Sequence, residues 1–183
     1  YLDIYYPQRV VPVMQAFAPE IEASGRCFIY QAGFHPGLLA ALVRRVAPRF
    51  ERLDSVRIGL AMNETHIGSA ESAREIVEGI ADYEAFVFEK DRWKNAGTAD
   101  MKTLDFGPGF GRRTCFPLWF EELRNLPKQF GIKQLGTYVA GFNWFVDYLV
   151  PPLGMLLFWL KKGLGLSFLT RLMRWGTKRF SSP

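Results

Sequence analysis

The chain has 183 residues, 49% of them hydrophobic, 15% aromatic and 22% charged, which supplies one full core and excludes a disordered polypeptide. Its formal charge of +5 is unevenly placed: all 18 acidic residues lie at or before Asp147, with 17 of the 23 Lys and Arg. The other six basic residues, Lys161, Lys162, Arg171, Arg174, Lys178 and Arg179, stand unopposed, so a general nucleic-acid surface is disfavoured and a local anionic contact is expected instead.

In chain order, Tyr1-Leu2-Asp3-Ile4 reads as a strand, and a start without Met or an apolar leader reads as a piece of a longer polypeptide. Gln8–Ser24 reads as a helix with apolar Val11, Met14, Phe17 and Ile21, interrupted at Pro19 and stopped by Gly25. Arg26–Tyr30 is strand-like. A glycine-proline turn, Gln31–Gly37, then opens a helix from Leu38 to about Val46. Asp54–Asn63 alternates, with Val56, Ile58, Leu60 and Met62 on one side, as a half-buried strand does. Glu64-Thr65-His66 reads as a polar loop. Ser69 is placed to cap a helix through Ile80 whose apolar stripe is Ala73, Ile76, Val77 and Ile80.

The pattern then turns to strands at Phe86–Phe88, Met101–Phe106, Arg112–Phe116 and Gln134–Gly141, with Gly107–Gly111 as a turn between two of them. From Asn143 onward it is helical and very apolar. This order predicts an α+β fold, a mixed or antiparallel sheet with helices packed on one face. Cys27 and Cys115 sit in separate strand-like runs without a CxxC, and are expected to be reduced, buried residues of a cytoplasmic protein. His35 and His66 are the only histidines and have no ligand-spaced neighbours, so no metal site is expected.

The turn at Gln31–Gly37 is the richest in chemistry. It puts backbone N–H groups at the carboxyl end of a strand and the start of a helix, where open α/β enzymes bind ligands. An ordinary strand-to-helix connection has the same spacing. His35 lies inside the turn, and its ordinary pKa suits proton transfer near neutrality, although a capping or solvent-facing histidine also fits. Asp3 could face a cofactor at a neighbouring strand edge or simply end its strand. Adjacent Glu121 and Glu122 point about 100° apart on a helix and make no paired-carboxylate site. No G-x-G-x-x-G joins a strand to a helix and no P-loop is present, so the chain alone is expected to bind neither NAD nor NADP.

Five segments, in order, resemble the saccharopine dehydrogenase-like oxidoreductases. Tyr1-Leu2-Asp3-Ile4 resembles a strand late in the dinucleotide-binding domain of that family, and Gly33-Phe34-His35-Pro36-Gly37-Leu38 is similar to its Gly-Phe-Asp-Pro-Gly-Leu turn. Gly109-Phe110-Gly111-Arg112-Arg113, with Phe116-Pro117, resembles a glycine turn and strand of the second domain. Glu122-Leu123-Arg124-Asn125-Leu126-Pro127 looks like the family's Glu-x-x-Thr-Leu-Pro segment, followed by the strand Gln134–Gly141. The resemblance covers residues 1–142, with His35 in place of the usual acid and Asn125 in place of Thr.

It implies a division into residues 1–36, the end of a Rossmann domain, residues 37–147, an α+β domain for substrate and dimer contacts, and a tail at 148–183. It also implies hydride transfer between NAD or NADP, held by the full-length protein, and a small-molecule substrate, in a homodimer. On that reading His35 is the acid/base, and Asp3, Gln31, Ala32 and Gly33 lie toward the cofactor. Phe34, Gly37, Phe110 and Arg112 lie toward the substrate. The rival reading is a non-enzymatic module that keeps this fold and associates with a membrane or a partner.

The tail itself begins with an apolar run, Tyr148–Leu160, which contains Pro151, Pro152 and Gly154 and is shorter than the roughly 20 residues a membrane span needs. Beyond it, Leu166, Phe168, Leu169, Leu172 and Met173 fill one half of a helical wheel, and Ser167, Thr170, Arg171, Arg174 and Lys178 the other. Such a helix hides its apolar half within the protein or a dimer, or lies on an anionic membrane through residues 148–179.

Overall fold

Pro19 divides the first helical pattern in two. The computed structural model describes residues 1–2, 10–61 and 69–180, and in it α1 (Val10–Ala16) gives way at Phe17 to α2 (Ala18–Ala23). Pro19 sits in the first turn of α2, where a missing N–H breaks no helical bond. Gly25, at φ 65°, ends that helix in the left-handed region. Next come α3 (Leu38–Val46), β1 (Ser55–Leu60), α4 (Ala70–Gly79), β2 (Phe86–Glu89) and β3 (Arg92–Asn95). The chain continues through β4 (Lys102–Asp105), β5 (Arg112–Leu118), α5 (Leu126–Phe130), β6 (Gln134–Ala140), α6 (Trp144–Leu160) and α7 (Leu166–Phe180). Ser69 caps α4 as its sequence predicts, its hydroxyl accepting from the Ser72 N–H at 3.0 Å.

The protein is α+β. Among the described residues six strands form one antiparallel sheet in the order β3-β2-β6-β5-β4, with β1 also pairing to β6. The β4–β5 hairpin pairs Asp105 with Arg112, and its turn uses Gly107 (φ 78°) and Gly111 (φ 62°) where a side chain would be strained. In β5 and β6, Cys115 opposes Ala140 and Pro117 opposes Tyr138.

The chain forms two compact units. One comprises residues 1–58, 88–94 and 119–136, and buries Leu39, Phe120, Leu123 and Leu126 almost completely. The other comprises residues 59–87, 95–118 and 137–183. One of its clusters joins Val77 of α4 to Val146 and Val150 of α6 and to Leu169 and Met173 of α7. A second cluster gathers Val87, Cys115, Tyr138 and Ala140.

Expectations are corrected in two segments. Arg26–Tyr30 does not extend into a strand: among the described residues only Ile29 is bridged, parallel to Leu2, and Cys27 is exposed while Cys115 is buried. The segment before α7, expected to be helical from Asn143, is the continuous 17-residue helix α6, which accommodates Pro151 and Pro152. Asn143 starts it by accepting from the Val146 N–H at 2.9 Å. On α7 the buried side is Leu169, Thr170, Met173, Gly176 and Thr177, whereas Phe168 is exposed. Both threonine hydroxyls donate to carbonyls four residues back, at 2.8 Å, so their methyl groups pack like those of valine. The strand end expected at Asn63, Asp3 and Glu64-Thr65-His66 lie outside the described residues.

Candidate functional site

The turn before α3 is closed by its own backbone. Gln31 occupies the left-handed region at φ 55°, Gly33 and Gly37 form a parallel bridge, and the His35–Pro36 peptide is cis. Gly37 sits at φ 128°, and a Cβ there would lie 2.6 Å from the carbonyl oxygens of both Gln31 and Gly33. Only glycine fits.

Gly37 is also the N-cap of α3 and has no side chain with which to cap it. The cap comes instead from Glu122, 85 residues further on, whose Oε1 accepts from the Gly37 N–H at 2.8 Å and whose Oε2 accepts from the Ala40 N–H at 3.0 Å. A capping box normally satisfies these two groups, at the N-cap and at the third helical position, with side chains from the same turn. Here one carboxylate satisfies both, and its charge favours the positive end of the helix. The N–H groups that could hold an external anion are thus held by the protein's own Glu122. Adjacent Glu121 turns elsewhere, its carboxylate accepting from the Arg124 guanidinium at 2.7 Å.

His35 is half-buried, edge-on to Phe34 at 5.5 Å between ring centres and edge-on to the fully buried Phe120 at 6.2 Å. Burial lowers its pKa below the ordinary 6.5, so the imidazole is neutral at pH 7. Gln31 is 8% exposed, and its side-chain amide nitrogen is buried without a hydrogen-bond partner. Ala32 and Phe34 are exposed and Gly33 is half-buried. Gln31, Ala32, Gly33, Phe34, His35 and Gly37 therefore gather in one turn, braced by Glu122 and Phe120. Phe110 and Arg112 belong to the other unit, at the exposed end of the β4–β5 hairpin, where Arg112 opposes Asp105.

Sequence reasoning missed Glu122 as a functional partner of the turn. No local spacing could reveal it, because its partners are 82 and 85 residues away. Elsewhere a shallow cleft of about 280 Å³ lies between residues 47–53 and Phe130-Gly131. Burial raises the Cys115 thiol pKa, which leaves that sulfur a packed, protonated side chain at neutral pH. Among the described residues, no group of three His, Cys, Asp or Glu is placed to hold a metal. No protein-family model and no curated protein sequence matches the chain.

Proposed function

We propose that the chain is the second domain of a saccharopine dehydrogenase-like oxidoreductase, in a polypeptide whose glycine-rich dinucleotide turn lies upstream. The observation that supports this reading is a half-buried, neutral histidine on a turn whose backbone is braced by a distant carboxylate. A neutral imidazole can take up the proton that a substrate releases as its hydride passes to NAD or NADP, and can return it in the reverse reaction. Rigid placement of that group is what such chemistry asks of the protein.

Gln31, Ala32 and Gly33 are assigned to the nicotinamide end of the cofactor, together with Asp3. Phe34 and Gly37 are assigned to the substrate. The pyrophosphate is assigned to the upstream turn, because at the start of α3 it would meet the like charge of Glu122. The reading carries with it a homodimer in the cytoplasm.

The test uses the polypeptide that contains this chain. Nicotinamide fluorescence should report binding of NADH or NADPH, and a panel of imines and enones should support its oxidation. His35→Ala should retain cofactor binding and lose turnover by about 100-fold or more, the range of a general acid/base. Absence of cofactor binding, or a His35→Ala enzyme as fast as the parent, overturns the assignment.

A further inference from the structure

The outer side of α6 carries no charged residue. Trp144, Tyr148, Met155, Leu156, Trp159 and Leu160 recur at helical spacing and are all exposed, Trp159 to 81%. The opposite side of the same helix already fills a core with Val146 and Val150. The helix is thus apolar all round; on its outer side Trp144 lies edge-on to Phe180 at 5.1 Å and Tyr148 to Phe116 at 6.5 Å, yet both rings stay largely in solvent. A stripe this long is far more than the scattered apolar residues of an ordinary surface.

What surrounds the stripe selects its occupant. Exposed Lys161 and Lys162 follow Leu160 directly, and the outer side of α7 carries Arg171, Lys178 and Arg179 beside exposed Phe168 and Trp175. No acidic residue occurs after Asp147, which is itself engaged in accepting the Phe142 N–H at 2.8 Å. Asp82 approaches Lys162 at 3.8 Å, with both side chains largely in solvent.

We propose that the outer face of α6, with the Lys161-Lys162 tip and the basic outer side of α7, docks on an anionic lipid surface. Tryptophan and tyrosine favour the headgroup level, where the ring is desolvated and the polar edge stays wet. Lysine and arginine beside them gain from anionic headgroups. A second copy docking on the same face would oppose two sets of unbalanced positive charge. Among the described residues no helix is long and apolar enough to cross a membrane, so the contact is one of lying on the surface.

The experiment is vesicle flotation of the 183-residue chain, with phosphatidylcholine alone and with added phosphatidylserine. Binding is expected with phosphatidylserine only, and should weaken as salt is added. Lys161→Gln with Lys162→Gln should weaken it by about 30-fold, and Trp159→Ala by about tenfold or more. Trp159 is 81% exposed, so an unchanged circular dichroism spectrum is expected of that variant. Failure to float, equal binding to neutral vesicles, or an effect of Trp159→Ala confined to self-association in sedimentation would each overturn the proposal. The readout needs no cofactor and no turnover, so it stands or falls apart from the oxidoreductase reading.

Discussion

Glu122 illustrates how much one side chain can decide. Two part-buried hydrogen bonds to its carboxylate satisfy the N–H groups of Gly37 and Ala40. Glu122→Ala should cost about 2–4 kcal/mol, since a charged acceptor contributes more than a neutral one and its loss strands two donors. Glu122→Gln should recover part of this, because it keeps one acceptor but not the charge; urea denaturation of the three proteins measures the order. Gly37→Ala should cost about 3 kcal/mol or more, as φ 128° and two carbonyl oxygens leave no room for a methyl group. His35 adds a pH dependence. Its folded pKa lies below the unfolded value of 6.5, so the unfolded state binds more protons as the solution is acidified. Its contribution is intact above about pH 6.5 and is lost as pH falls through the unfolded and then the folded value. His35→Gln should flatten that part of the stability profile, read as urea midpoints between about pH 7 and pH 5.

At the scale of elements, β4, β5 and β6 follow their sequence patterns to within two residues, because each has a glycine within two residues of an end; β4 and β5 also alternate in burial, whereas β6 is buried along most of its length. The hairpin of β2 and β3 is not legible in the same way. Its turn residues, Lys90 and Asp91, adopt φ 51° and 59°, a geometry usually announced by Asn-Gly. The Lys94–Glu89 ion pair at 2.8 Å spans the same hairpin. Lys90→Asn with Asp91→Gly should therefore stabilise the protein by about 0.5–1 kcal/mol, visible as a raised thermal midpoint. The buried face of α7 departs from its helical wheel for a chemical reason: a wheel treats Thr170 as polar, whereas a hydroxyl bonded to its own helix presents a methyl group. The candidate site is legible as a turn, through its Gly and Pro spacing. The brace on that turn is not.

For the whole molecule, composition announces a well-filled interior but not where apolar surface is left over. Leu169 is fully buried between α4, α6 and α7, and Leu169→Ala should cost about 2–5 kcal/mol by the cavity it leaves, measurable by urea denaturation. Trp159→Ala, also at an apolar position of the sequence, should leave stability nearly unchanged. The contrast separates apolar residues that hold the fold from those that lie on its surface, a distinction that hydropathy along the chain does not contain. Charge is distributed with similar asymmetry: the part through Asp147 is nearly balanced, and the basic excess of the protein belongs to α7 and to the connection leading into it.

The brace between Glu122 and the start of α3 also bears on the order in which the chain acquires structure. A nine-residue helix without a local cap is too short to persist by itself in water. Its first turn must await a segment more than 80 residues away, so much of the closure entropy is spent before the helix is secured. A peptide spanning residues 31–49 is accordingly expected to be mostly coil. During synthesis the same stretch should gain hydrogen-exchange protection only after residues 119–126 have left the ribosome, which makes α3 a late element despite its early place in the sequence.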